Sequence, residues 1–404
     1  MNQRSGKLST LAHEQLLPRE ELFKRGPRNV KLNIGVPDNS ASVEYSVPLT
    51  PQSVELFVNN GHDVFIESGA GREANYSDKA YSDAGGVICK SPGEVYQCDI
   101  ILKMSPFTPE ETEMMRGNQL LLSPLYITFQ TQESIRHLMR KKVTAVAFEY
   151  MKDEKGSLPV ERIFSEIMGN SALIVASEYL STANNGKGVM LGSVTGISPT
   201  EVVIIGSGTA AEFAARTALA LGATVKIFDD SISKLMNFQA RLGRQVFTSV
   251  LYPKALRKAL RTAEVVIGAL CLNEVPKLII TDDMVQGMKE NSIIIDLNII
   301  QGGCIETSRI TNLKKPTFVE HGVIHYCVPN ITSRVARTTS IAISNILTPT
   351  LLDIGQSGGI NQYVKTNPGF CEGIYVFNGI LTNRDIGSML NIPVTDINLL
   401  LAAF

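Results

Sequence analysis

The sequence predicts an α/β protein built from two doubly wound, mainly parallel sheets. Three observations predict it. The chain has 404 residues, more than one hydrophobic core usually supports, which favours two domains. Short apolar runs alternate with helical patterns along most of it, the signature of a parallel sheet with helices on both faces. The alternation is interrupted by one long apolar-periodic segment, SEIMGNSALIVASEYLST at 165–182, and then starts again.

Taken in order, residues 1–30 are rich in Glu, Lys and Arg without a clear period, and are expected to form an arm lying on another surface. KLNIGV reads as the first strand. Thr50 and Pro51 are an N-cap and first-turn pair for the helix PQSVELFVNN, which Gly61 can end. HDVFIES, DIILKM, QLLLSP and VTAVAFEY supply further strands, with TQESIRHLMRKK as a helix between the last two. The segment 165–182 suits a helix linking the domains. Beyond it EVVIIG, TVKIFD, QVFTSV, EVVIGAL, SIIIDLN and VIHYCVP form a second set of strands, ending near residue 337. A helical stretch at 335–355 is expected to return the chain to the first domain, where 360–404 packs as a tail. The expected division is therefore 1–160 with 338–404 as one domain, and 161–337 as the other.

Composition narrows the partners. A net charge of −1 gives no general attraction to nucleic acid or to an anionic membrane, so small molecules are the expected ligands. No apolar run approaches the ~20 residues that span a bilayer, and the first thirty residues lack the apolar run of a signal peptide. The six cysteines include no C-x-x-C pair, which argues against a zinc or redox site and for buried thiols in a reducing cytoplasm.

The clearest motif is VVIIGSGTAAEFAARTALALGATVKIFDD. Gly206 and Gly208 occupy the first two positions of G-x-G-x-x-G/A, flanking Ser207, and Ala211 takes the third. The first glycine permits the tight turn, the second lets backbone approach a pyrophosphate, and the small third residue lets helix pack on strand. A strand precedes the motif, a helix follows, and the next strand ends in Asp229, placed to bind the adenosine ribose hydroxyls. The charge of Asp229, reinforced by Asp230, disfavours a 2′-phosphate, although Lys234 offsets part of that repulsion. NAD is the expected cofactor.

The match extends beyond this loop. IGVPDNSASVEYSVPLTP, LPVERIFSEIMGN, IIIDLNIIQGGCIE and VIHYCVPNITSRVARTTSIAISN each resemble segments of the alanine dehydrogenase and transhydrogenase alpha-subunit family, and its alanine dehydrogenases most closely. The resemblance runs from about residue 31 to the end. It implies two Rossmann-like doubly wound domains with a discontinuous substrate domain, an amino acid or 2-oxo acid as substrate, and a homo-oligomer, possibly a hexamer. It also implies cofactor contacts at Ser165 and Asn330.

The substrate side departs from the family pattern. The family's carboxylate-binding arginine falls on Ser46, its lysine on Ser105, its catalytic histidine on Tyr126 and its aspartate beside the nicotinamide on Ile300. Serine cannot make the bidentate charged pair of arginine with a carboxylate. Tyrosine titrates near pH ~10 and needs a neighbouring cation to serve as a base at neutral pH. If catalysis persists, Tyr126 with Lys103 beside it is the expected pair; the plainer alternatives are a wall residue and a strand-end lysine. CLNEVPK at 271–277 is shorter than the family's loop there. These changes predict either an NAD-dependent oxidoreductase inefficient on L-alanine or a non-catalytic NAD-binding component of an oligomer. A transhydrogenase subunit is the third alternative.

Overall fold

The computed structural model describes residues 29–39, 44–270 and 278–403. Most of the expected N-terminal arm, the CLNEVPK segment and Cys271 lie outside the described residues. Strands form where Val, Ile and Leu cluster in short runs. In chain order they are β1 (Asn33–Val36), β2 (Asp63–Glu67), β3 (Val87–Cys89), β4 (Ile100–Leu102), β5 (Leu120–Ser123) and β6 (Thr144–Ala147). Then come β7 (Glu201–Ile205), β8 (Thr224–Asp229), β9 (Phe247–Val250), β10 (Val265–Gly268), β11 (Ile293–Asp296), β12 (Thr317–Glu320) and β13 (Val323–Tyr326). Two short strands, β14 (Ile374–Phe377) and β15 (Ile380–Leu381), close the series.

They build two sheets, ordered β15-β14-β6-β5-β4-β1-β2-β3 and β12-β13-β11-β10-β7-β8-β9. The pairs from β1 to β6 and from β7 to β11 with β13 are parallel, while β14 with β6, β14 with β15 and β12 with β13 are antiparallel. Leaving the antiparallel edge strands aside, each sheet has the order 3-2-1-4-5-6 of a dinucleotide-binding fold. The expected α/β class therefore holds, and so does the discontinuity, because β14 and β15 rejoin the first sheet from the far end of the chain. Helical cover on both faces explains why β5, β6, β10, β11 and β13 are buried throughout their length.

Four helices position the site. In α1 (Pro51–Asn59) Thr50 Oγ1 accepts from Ser53 N at 3.4 Å and Pro51 fills the first turn, as the sequence predicts. The linking helix, α2 (Pro159–Leu180), starts six residues before the predicted Ser165, because Pro159 is accommodated in its first turn. It lies directly on α3 (Thr209–Ala220): a Cβ on Gly169 would sit 2.3 Å from Ala210 O, so only glycine allows this approach. Ile343, Leu347, Leu351 and Ile354 of α4 (Ala336–Gln356) join the core of the first sheet, which is the return the sequence suggested. Ser340 and Ser344 of α4 accept hydrogen bonds from Val47 N (2.9 Å) and Thr50 N (3.1 Å), tying the segment before α1 to it. The region read as a packed tail in fact contributes β14 and β15 to the sheet.

Candidate functional site

In doubly wound sheets ligands bind beyond the C-terminal strand ends where the strand order reverses, here between β1 and β4 and between β7 and β10. A cavity of about 240 Å³ lies at those ends, with residues of both sheets in its wall. From the first sheet come Met104 after β4, Tyr126 after β5 and Glu149 after β6; from the second come Gly208 after β7, Ala269 after β10 and Ile300 after β11.

On the nucleotide side, Gly206 has φ +108°, and a Cβ there would lie 2.3 Å from Ala269 O. Both the turn and its neighbour require glycine. Gly208 differs: a Cβ placed on it meets no protein atom within 4 Å, and it caps the N-terminus of α3. That open space over the free N–H groups of a twelve-residue helix is what a pyrophosphate needs. Ala211 is fully buried between helix and sheet. Asp229, also buried, accepts from Ser207 Oγ at 2.7 Å and from Ser231 N at 3.0 Å, which fixes the carboxylate at the end of β8. A carboxylate retains lone pairs for ribose hydroxyls after two such bonds. Lys234 is exposed and reaches Asp230 at 3.5 Å. The residues present therefore fit a dinucleotide.

The other side is acidic. Glu44 is buried, and its Oε1 accepts from Ser46 Oγ (2.5 Å), Ser46 N (3.1 Å) and Ser333 Oγ (2.6 Å). Burial nevertheless raises its pKa above the usual carboxylate range. Asn330 Nδ2 donates to Ser333 Oγ at 3.2 Å and extends this network to the cofactor side. Glu149 sits in a single 3₁₀ turn, Phe148–Tyr150, directly after β6. Leu125 N donates to its Oε1 at 2.7 Å, while Oε2 is sealed from solvent without a hydrogen-bond partner among the described residues. Burial pushes the pKa of Glu149 up to about 7. Ser165 Oγ donates to Glu161 Oε1 at 3.0 Å at the exposed edge.

Tyr126 lies in the wall, with a left-handed backbone (φ 44°, ψ 70°) that is costly for an aromatic residue. Its phenol is shifted upward by burial first, and then by the nearby Glu44 and Glu149. The expected partner cation is not there. Lys103 is buried with its Nζ 2.5 and 2.6 Å from the Glu111 carboxylate oxygens and 3.2 Å from Pro106 O, and it does not line the cavity. The expected Tyr126–Lys103 pair is thus not assembled: the lysine is consumed by a buried ion pair, and the phenol faces carboxylates that keep it neutral. Ser46 and Ile300 do line the cavity, whereas Ser105 turns to Asn39 Oδ1 at 3.4 Å.

Neither Glu44 nor Glu149 stands out in the sequence. The signal available was an acid at the end of an otherwise apolar strand, VTAVAFEY, where a solvated edge would be the ordinary reading.

Two family descriptions cover nearly all of this architecture: "Alanine dehydrogenase/PNT, N-terminal domain" matches residues 35–168, and "Alanine dehydrogenase/PNT, C-terminal domain" matches residues 172–384. The chain belongs to the alanine dehydrogenase/PNT family. Among curated relatives, the alanine dehydrogenase of Methanococcus maripaludis is 36% identical over 90% of this chain and 97% of its own length. That of Bacillus subtilis is 34% identical over 88% and 94%. A solved L-alanine dehydrogenase superposes with a TM-score of 0.81 at 31% identity, over 88% of this chain and 98% of the other. A transhydrogenase from Sinorhizobium meliloti shares the fold, with a TM-score of 0.73 at 21% identity over 87% and 99%. In the alanine dehydrogenase/PNT framework the two matched regions meet between residues 168 and 172, within α2.

Proposed function

We propose that the protein is an NAD-dependent oxidoreductase of the alanine dehydrogenase family whose substrate side has diverged, so that L-alanine is a poor substrate. The observation that carries this reading is one cavity in which Gly208 and the first residues of α3 face a wall without a basic side chain among its described residues. The cofactor is NAD, which when bound supplies the hydride acceptor. Gly206 to Ala211 hold the pyrophosphate, Asp229 holds the ribose, and Ser165 and Asn330 line the nicotinamide end. Tyr126, kept neutral, donates a hydrogen bond to substrate; Glu149, which lines the cavity and whose pKa burial raises to about 7, takes or returns a proton. Lys103 supports the loop after β4. The domains divide near residues 160 and 337.

The protein works as a cytoplasmic homo-oligomer in this reading. Five cysteines are buried and free, which suits a reducing compartment. Among the described residues no helix is long and apolar enough to cross a membrane.

Calorimetry with NADH tests the cofactor assignment. Gly208→Val should weaken binding at least ~100-fold, about 2.7 kcal/mol, by blocking the pyrophosphate's hydrogen bonds. The variant should still fold, with only a modest drop in melting temperature from placing valine at a helix N-cap, because the new side chain meets no protein atom at Cβ. Undiminished binding would contradict the assignment.

A further inference from the structure

The glycine turn is braced from behind. Ser207, between Gly206 and Gly208, is buried, and both of its oxygens are engaged: Oγ donates to Asp229 Oδ2 at 2.7 Å, and the carbonyl accepts from Arg241 Nη2 at 2.8 Å. Arg241 lies near the end of the helix Ile232–Leu242, which follows β8, and it does not line the cavity. Its Nε donates to Glu212 Oε2 at 2.7 Å, so one planar guanidinium bridges a carboxylate and a carbonyl. Arg216 takes the other oxygen of Glu212, with Nη2 and Nε at 2.8 and 3.1 Å from Oε1, and also donates to Arg241 O. Glu212, in the first turn of α3, is only 5% exposed. Burial alone would raise its pKa, but the Arg241 and Arg216 guanidiniums hold the carboxyl below its ordinary range, so it is ionised at neutral pH.

No cis peptide bond occurs among the described residues, and a trans peptide is planar with its C=O and N–H pointing in opposite directions. A donor that fixes Ser207 O therefore also fixes the direction of the Gly208 N–H, which belongs to the same peptide. The same bond draws charge toward the oxygen and makes that N–H a stronger donor. Gly208 lines the cavity, and a glycine backbone is free to turn elsewhere unless something holds it. We propose that Arg241 is a positioning residue for the dinucleotide: its bond to Ser207 O aims the Gly208 N–H at the pyrophosphate, and Glu212 is the anchor that keeps the guanidinium in place. The proposal rests on the reading of this turn as the NAD site, and it assigns part of the cofactor affinity to a side chain outside the cavity.

Calorimetric titration of the full chain with NADH tests it, in wild type and in three variants whose melts are recorded first. Arg241→Met removes both arms of the bridge, whereas Arg241→Lys keeps a positive charge against Glu212 without the fork that also reaches Ser207 O. Each should bind NADH ~10-fold more weakly than wild type, the scale of one charge-assisted hydrogen bond. The phosphorus-31 resonances of bound NADH should move in both as well. Arg216→Met takes the other guanidinium from Glu212 and leaves the Ser207 bond in place, so NADH affinity and the phosphorus resonances should stay at their wild-type values even where the melt drops. Wild-type NADH affinity or unmoved phosphorus resonances in a folded Arg241 variant, or an equal loss of affinity in Arg216→Met, would overturn the proposal while leaving the cofactor reading standing. If Arg241→Met does not fold, Arg241→Lys decides by the same criteria. Failure of the wild-type chain to bind NADH would overturn both.

Discussion

Glu149 shows how much one side chain carries. Its carboxyl is raised from an ordinary 4.5 to about 7 by burial, and one of its oxygens lacks a donor among the described residues. A folded-state pKa above the unfolded value means that the folded protein holds the proton more tightly. The stabilisation is therefore fully present below about pH 4.5 and is lost as pH rises through about 7. Above pH 7 the wild-type protein carries a buried, incompletely satisfied charge. Glu149→Gln keeps an acceptor for Leu125 N and removes the ionisation, so its stability relative to wild type should rise by up to about 3 kcal/mol between pH 4.5 and 8. Denaturant melts at the two pH values check this; a difference independent of pH would show that Glu149 does not titrate in that window. Tyr126 adds a second cost at the same place, since its left-handed backbone positions the ring in the wall. Both residues give up stability where a ligand is to bind.

At the scale of elements, the contact of α2 with α3 decides where the dinucleotide cradle sits. Gly169 lies against Ala210 at the start of α3, the helix whose N-terminus faces the cavity. Gly169→Ala forces a Cβ onto Ala210 O, so the helices must separate. Overpacking of this kind costs about 1–3 kcal/mol, and displacement of α3 should also weaken NADH binding. Melts and NADH titration of the same variant test both effects together; a variant as stable as wild type with full NADH affinity would mean that the contact does not position α3. Most elements were legible in the sequence because apolar period, caps and the Gly206–Gly208 turn report local structure. The start of α2 was less legible, since Pro159 reads as a break until it is placed in a first turn. β14 was not legible because its partner β6 lies more than two hundred residues away, and β15 joins the sheet only through β14. The site followed the same division. The cradle is encoded in one contiguous segment and was legible, whereas the acidic wall is assembled from Glu44 and Glu149 on separate loops and emerges only when β1 and β6 are placed in one sheet. Lys103 was misassigned for a related reason: the ion pair that removes it, with Glu111, crosses a turn whose path the apolar pattern does not specify.

For the whole molecule, Met190, Val194 and Ile197 are 67%, 47% and 67% exposed on one segment between α2 and β7. Three large apolar side chains on a segment of eight residues suit a contact between copies. In the proposed homo-oligomer, replacing all three with Ser should lower the mass measured by light scattering from a multiple of 44.0 kDa toward one chain; an unchanged mass would place the contact elsewhere. The two halves of the cavity act together: one side presents the turn for NAD, and the wall opposite has no basic side chain among its described residues for the carboxylate of alanine. Losing one preorganised charged contact or a neutral-pH base costs ~10² to 10⁴ in rate. Steady-state NADH formation from saturating L-alanine and NAD decides the matter: turnover below ~0.1 s⁻¹ is expected of a diverged substrate side, whereas turnover at the usual enzyme scale of ~10 s⁻¹ or above would show a working alanine site.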